Sequence, residues 1–400
     1  TAFQFYDFFH EWGLLRNIKI GSIPLEDNSI FKSFALIRFL IFIFIVDILF
    51  FNKILDIKKI FLVSLICTSF VSFDIIIQYV VGFDLFGFKS NGIRNSGPFG
   101  DELIAGSFLQ KLSLFSIFYS FLIFEKRKYK NIFVIFIILL HSTAILLAGN
   151  KMSLVLFLFG IILTILFVKN LRYSISVGLI AFLSISIIMF KNDQNLEARY
   201  SAFFNALSEV IFNELNFIKT IKQNELQTKK TREGESKIGL VEEQGSTYLR
   251  GSGYYGIYRT SLVLWKEQPW VGHGLKSFRF KCWLIISRPE NKEAHRSLKQ
   301  LNCANHSHNY YLELLSEAGI FGTTFIIIFF IIILKDSFMY LKRNYRKIDS
   351  DLYLFIPIFL TFFLEIWPIK STGSFFTTWG ATFFWLNVGM LIAAKTKKSS

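Results

Sequence analysis

Four hundred residues that are 52% hydrophobic and include 49 phenylalanines, with a mean hydropathy of +0.45, carry more apolar surface than one soluble core buries, which excludes a soluble enzyme. Charged residues make up 18% of the chain, below the roughly 25% of soluble proteins, and they cluster between long apolar runs. The net charge of +15 then reads as basic loops facing the cytoplasm, with the lipid bilayer as partner and no nucleic acid.

Taken in chain order, residues 1–30 place Tyr6, Phe8, Phe9 and Trp12 among charges, a composition suited to the membrane–water interface. Nine apolar runs follow, near 31–51, 60–81, 103–124, 132–148, 152–168, 173–190, 319–335, 352–369 and 375–394, each close to the length of a bilayer-spanning helix. Lys53, Lys58 and Lys59 follow the first run, Lys126, Arg127, Lys128 and Lys130 the third, and Lys169 and Arg172 the fifth. Lys342, Arg343, Arg346 and Lys347 follow the seventh run, and Lys395, Lys397 and Lys398 follow the last. Every second connection is basic, so these face the cytoplasm and the others face outward. The expected class is an all-α, polytopic transmembrane helical bundle. Its expected divisions are an interfacial segment 1–30, six spans within 31–190, a large external loop 191–318, three spans within 319–394 and a cytoplasmic tail 395–400. Nine spans with the tail inside put Thr1 outside, where no signal-peptide pattern stands; for a protein that begins in the cytoplasm, as most multi-span proteins do, an odd number of earlier spans is expected.

The connection 191–318 is too long for a linker, and chemistry is expected in it. Residues 222–246 are charged with little apolar periodicity and read as a solvated stretch. From Gly256 the pattern Ile-Tyr-Arg-Thr-Ser-Leu-Val-Leu-Trp predicts a helix, Gln268 to Gly274 a turn rich in Pro and Gly, and Asn309 to Gly319 a helix ended by a glycine cap.

His306 and His308 stand immediately before that last helix. A helix N-terminus offers unpaired N–H groups and partial positive charge to a phosphate or oxyanion, and a neutral imidazole there suits a general base. The plainer reading is that Ser307 or Asn309 caps the helix and both histidines sit in a polar turn. His306 and His308 with Glu313, Glu317 or His273 make a weak metal set, since residues i and i+2 diverge on a helix and no cluster with zinc spacing accompanies them. No metal is expected. No Gly-x-Ser-x-Gly elbow supports a serine hydrolase. Asp101 and Glu102 read as a cap and an interfacial charge. Asp47, Asp74, His141 and Glu365 lie within apolar runs, where ionisable groups face a bundle interior; Glu365, beside Trp367 and Pro368, would line a groove or pair with a neighbouring helix.

Arg259 and Trp265 precede Pro269, Gly272 and Gly274, and about fifty residues later come His306, His308, Asn309, Tyr311, Leu312, Glu317, Gly319 and Gly322, then a span. This spacing resembles that of the O-antigen ligase and polymerase superfamily of polytopic bacterial envelope proteins. Arg94, in the stretch Arg-Asn-Ser-Gly before the third run, resembles the Arg-x-x-Gly of many members, and Ala148-Gly149-Asn150-Lys151 stands where many carry Ser-Arg-Gly. Lys151 is a departure, because Lys offers a point charge in place of a bidentate fork, although it still binds phosphate.

The resemblance implies a membrane-embedded glycosyltransferase that moves a glycan from an undecaprenyl pyrophosphate-linked donor, with no cofactor and no nucleotide sugar. It implies that His308 assists deprotonation of an acceptor hydroxyl, and that Arg259, Lys151 and Arg94, with Asn309 and His306 beside the base, bind substrate. The acceptor would be lipid A-core for a ligase in lipopolysaccharide biosynthesis, or a lipid-linked glycan for a polymerase; one long loop late in the chain favours the ligase. A transporter would also account for nine spans and external cations, yet it would concentrate polar groups near the bilayer midplane. Arg94, Lys151 and Lys370 each have a plainer reading as cations snorkelling to headgroups. The implied location is the bacterial inner membrane with the loop in the periplasm, where a Cys282–Cys303 disulfide would persist and hold His308 in place, contributing about 3 kcal/mol by loop closure.

Overall fold

The computed structural model describes residues 19–20, 23–24, 37–90, 92, 94–205, 253–291, 301–344, 350–371 and 373–396. The stretch 222–246 and most of 1–30 lie outside the described residues. A short antiparallel pair, β1 (Lys19–Ile20) with β2 (Ile23–Pro24), precedes the helices.

Each predicted apolar run overlaps one helix, and the helix of the seventh run extends well beyond it at both ends: α1 (Ile37–Phe51), α2 (Ile57–Val81), α3 (Ala105–Ile123), α4 (Arg127–Leu147), α5 (Lys151–Phe167), α6 (Arg172–Asn192), α9 (Tyr310–Asn344), α10 (Ser350–Glu365) and α11 (Thr378–Thr396). Among the described residues of the long connection, α7 (Gly253–Glu267) and α8 (Phe278–Ile286) follow a helical stretch over 194–205. Among the described residues, five segments are long and apolar enough to cross a membrane: α2, α3, α4, Lys169–Asn192 and α9. The protein is an all-helical polytopic membrane bundle. Its helices are apolar on nearly every face, because one face packs on neighbours while the other meets hydrocarbon. Thus Phe61, Phe115, Phe118 and Phe157 are buried, whereas Phe44, Ile66, Ile180 and Ile331 point outward.

Helix limits follow local chemistry. Asp56 accepts the Lys58 N–H at 3.0 Å and opens α2, and Gly82 closes it with φ 91°, a left-handed cap that glycine adopts without a Cβ clash. α2 packs on α3 and α4, α6 on α4, α11 on α1, and α10 on α3, α5 and α11. At the centre, His141 joins three helices: Nε2 lies 3.1 Å from Thr68 Oγ1 and 2.8 Å from Ser116 Oγ, and Nδ1 lies 3.0 Å from Ser72 Oγ. A fully buried imidazole is tolerated there because both ring nitrogens have partners.

The connections at one end of the bundle are stitched together. Asn95 Nδ2 donates to Leu147 O at 2.9 Å and Asn150 Nδ2 to Leu103 O at 3.2 Å. Tyr79 OH donates to Asp193 Oδ2 at 3.1 Å, and Tyr200 OH to Leu146 O at 2.8 Å. Ring contacts of Phe159 with Trp367 and Phe108 with Trp379 bring the α10–α11 connection to the same end.

Candidate functional site

The start of α9 is organised by one amide. Asn309 Oδ1 accepts the N–H of Tyr311 at 3.0 Å and of Leu312 at 3.2 Å, while its Nδ2 donates to Pro368 O at 2.9 Å and Lys370 O at 3.2 Å. Asn309 therefore caps α9, and the first-turn N–H groups expected to face a ligand are partly taken by it. The neighbouring tyrosines extend this joint: Tyr310 OH donates to Glu365 Oε2 at 3.5 Å, and Tyr311 OH donates to Ile366 O. One turn on, Glu313 accepts from Ser374 Oγ and from Phe375 N.

His308 precedes the cap with φ 52°, a left-handed conformation that costs a non-glycine residue roughly 1–2 kcal/mol. Its ring lies 4.1 Å from the His306 ring and 5.1 Å, edge-on, from Tyr254 on α7. Both histidines are half-buried, and Ser307 between them is fully buried. α7 reaches this turn through small residues. A Cβ on Gly256 would stand 2.8 Å from Asn302 Cβ, and buried Thr260 Oγ1 accepts the Asn302 N–H at 3.2 Å. A disulfide joins Cys282 of α8 to Cys303, with Cα atoms 5.6 Å apart. Arg259 is exposed on α7, its guanidinium 5.9 Å from the centre of the Tyr255 ring. Burial, with Tyr254 alongside, pushes the Tyr258 phenol up to about 12, so it remains a protonated donor.

The turn after α7, Gln268 to Gly274, is laced to α9. His273 N donates to Ser316 O at 3.0 Å and Gly274 N to Glu317 O at 2.8 Å; in return Ile320 N donates to Pro269 O at 2.8 Å and Phe321 N to Trp270 O at 3.2 Å. The glycine expected to end the helix, Gly319, instead sits at a kink inside α9 (φ 64°, ψ −170°). The helix resumes because the turn supplies acceptors where its own ladder is broken. The Glu317 carboxylate accepts the Lys276 N–H at 2.6 Å and the Phe278 N–H at 3.1 Å, which caps α8.

Arg94 and Lys151 are brought together, and a third cation joins them: Arg199, on a helical stretch over 194–205, acts electrostatically on Lys151 together with Arg94. Burial lowers the proton affinity of the Arg199 guanidinium, Tyr200 and Asp193 oppose that, and Arg94 reinforces it. Lys151 Nζ also stands 5.7 Å from the centre of the Phe203 ring. Arg199 was not among the sequence-predicted residues; its signal was a charge beside Tyr200 in a short apolar-periodic stretch after the sixth run.

Around α10 one expectation is corrected and one choice is decided. Lys370, expected to snorkel, is 6% exposed; Glu365, read either as a groove residue or as the partner of a neighbouring helix, is 1% exposed and is paired. Lys111 Nζ and Lys370 Nζ lie 3.1 and 3.4 Å from Glu365 Oε2. Pairing offsets a desolvation that neither charge could bear alone. Lys111 was overlooked although a lysine inside an apolar run is itself a signal of an interior partner.

Three groups thus form at the loop-bearing end: the His306–His308 turn with Tyr254, the Arg94–Lys151–Arg199 cluster, and the Lys111–Glu365–Lys370 triad joined to the first group through Tyr310 and Asn309. Among the described residues no three His, Cys, Asp or Glu side chains gather to hold a metal ion. No curated protein matches the chain. Residues 133–327 match the family model described as O-antigen ligase, a segment that runs from α4 through the histidine turn into α9, and the match supports the O-antigen ligase superfamily and a ligase- or polymerase-type function in glycan biosynthesis.

Proposed function

We propose that the protein is an O-antigen ligase-like glycosyltransferase that transfers a glycan from an undecaprenyl pyrophosphate donor to lipid A-core. The observation that carries the reading is the placement of a strained histidine, His308, at the same end of the bundle as a cluster of three cations. In the reaction, the imidazole of His308 takes the proton of the acceptor sugar hydroxyl. The freed oxygen attacks the anomeric carbon of the donor glycan, the bond from that carbon to the pyrophosphate oxygen breaks, and the electron pair leaves with the lipid pyrophosphate. Arg94, Lys151 and Arg199 stabilise the charge that develops on the leaving group, and Arg259, exposed on the helix that packs against His308, is assigned to the same anion. His306 is assigned to the acceptor side of the base. The loop-bearing end is then periplasmic and the other end cytoplasmic, as the basic connections favour.

The test is in vitro transfer with purified full-length protein, undecaprenyl pyrophosphate-linked glycan and lipid A-core, with wild type beside His308→Ala and Arg259→Ala. Glycan on lipid A-core with wild type only supports the proposal. Lengthening of the lipid-linked glycan instead would make the protein a polymerase, and transfer by His308→Ala at the wild-type rate would remove the base from its role.

A further inference from the structure

The strained turn at His308 has no regular secondary structure on its N-terminal side, so something else must hold it; sparsely populated backbone conformations persist only where the surroundings over-determine them. Resting on the transferase reading, we infer that the connection between α10 and α11 is the positioning element of the base, and that Asn309 is its coupling residue, not a substrate ligand. Both ends of the Asn309 amide are already committed. Its oxygen faces two N–H donors of α9, and its nitrogen faces two carbonyls of the connection. The opposite orientation would set donor against donor and acceptor against acceptor, so the network admits one assignment.

The connection is itself anchored. Lys370, whose carbonyl accepts from Asn309, also donates through Nζ to Leu364 O at 3.2 Å and lies 5.2 Å from the centre of the Tyr310 ring. Tyr311 OH on Ile366 O and Glu313 on Ser374 and Phe375 close the joint on either side. A shift of the connection would therefore move the turn that aims His308. This element lies beyond residue 327, outside the family-matched segment.

Asn309→Asp separates capping from coupling: aspartate still accepts from the Tyr311 and Leu312 N–H groups but sets a carboxylate against two carbonyls. In the transfer assay with the lipid-linked donor and lipid A-core, Asn309→Asp is expected to lower kcat by about tenfold to a hundredfold, the cost of a misplaced catalytic group. The donor KM stays near wild type, measured at a temperature well below the lowered thermal midpoint that the two lost bonds imply. Tyr311→Phe, which removes one bond of the same joint, is expected to give a smaller loss confined to kcat. Asn309→Asp with wild-type kcat overturns the inference, as does a raised donor KM at unchanged kcat, which would make Asn309 a substrate ligand. If Asn309→Asp does not fold, Tyr311→Phe decides, and wild-type kcat in that variant overturns it. Wild type without transfer would instead sink the transferase reading.

Discussion

Gly319→Ala tests the joint between the Pro269–Gly274 turn and α9. The backbone of Gly319, at φ 64° and ψ −170°, lies in a region that is nearly reserved for glycine, and holding another residue there costs about 1–3 kcal/mol. A Cβ would also stand 2.4 Å from both the carbonyl carbon and the oxygen of Trp270. Backbone cannot yield as a side-chain tip does, so the turn must move and stretch the bonds from Ile320 N to Pro269 O and from Phe321 N to Trp270 O. Each is worth about 0.5–1.5 kcal/mol net, which brings the expected loss to about 2–6 kcal/mol. The assay is the apparent thermal midpoint of the detergent-solubilised protein, together with amide exchange at Gly272–Gly274, Ile320 and Phe321. The midpoint should fall by about 2–7 °C, at about 1.2 °C per kcal/mol for a chain of this length, and those amides should exchange faster. Gly373→Ala is the control, because nothing lies within 4 Å of a Cβ built there. A Gly319→Ala protein with wild-type midpoint and wild-type exchange would show that the two elements are not rigidly joined.

Glu317→Ala should orphan the N–H groups of Lys276 and Phe278 at about 1–3 kcal/mol each; exchange at those amides checks it, and unchanged protection contradicts it. Arg199→Ala should raise the donor KM about tenfold or more, the scale of a lost charge-assisted hydrogen bond, and Arg199→Lys less so, as read by initial-rate kinetics. Reduction of Cys282–Cys303, which closes a separation of 21 residues, should cost about 3 kcal/mol and lower the thermal midpoint, an effect that Cys282→Ser should reproduce without reductant. Burial, with Lys111 adding to it and Glu365 opposing it, lowers the Lys370 ammonium from 10.5 to about 8. Between those values the unfolded chain holds a proton that the folded chain has released, so stability should rise with pH across that window; Lys370→Met should lose this slope in a pH series of unfolding midpoints.

The bilayer made much of this fold legible in sequence. Hydrocarbon permits only segments that satisfy their own backbone, so each apolar run from 31–51 to 375–394 had to be a helix. Local chemistry likewise exposed the turn at Pro269–Gly274, the cap choice at Asn309 and the two cysteines of the long connection. What periodicity could not express was who meets whom. Lys111 and Glu365 are 254 positions apart, and Arg199 reaches Arg94 only because Tyr200 seats its stretch on Leu146. Gly319 shows the same limit at short range: by its own sequence it is a helix stop, but the carbonyls of Pro269 and Trp270 take the N–H groups of Ile320 and Phe321. Local propensity decides where the chain leaves the helical path; only packing decides whether a partner stands there to receive the unpaired groups.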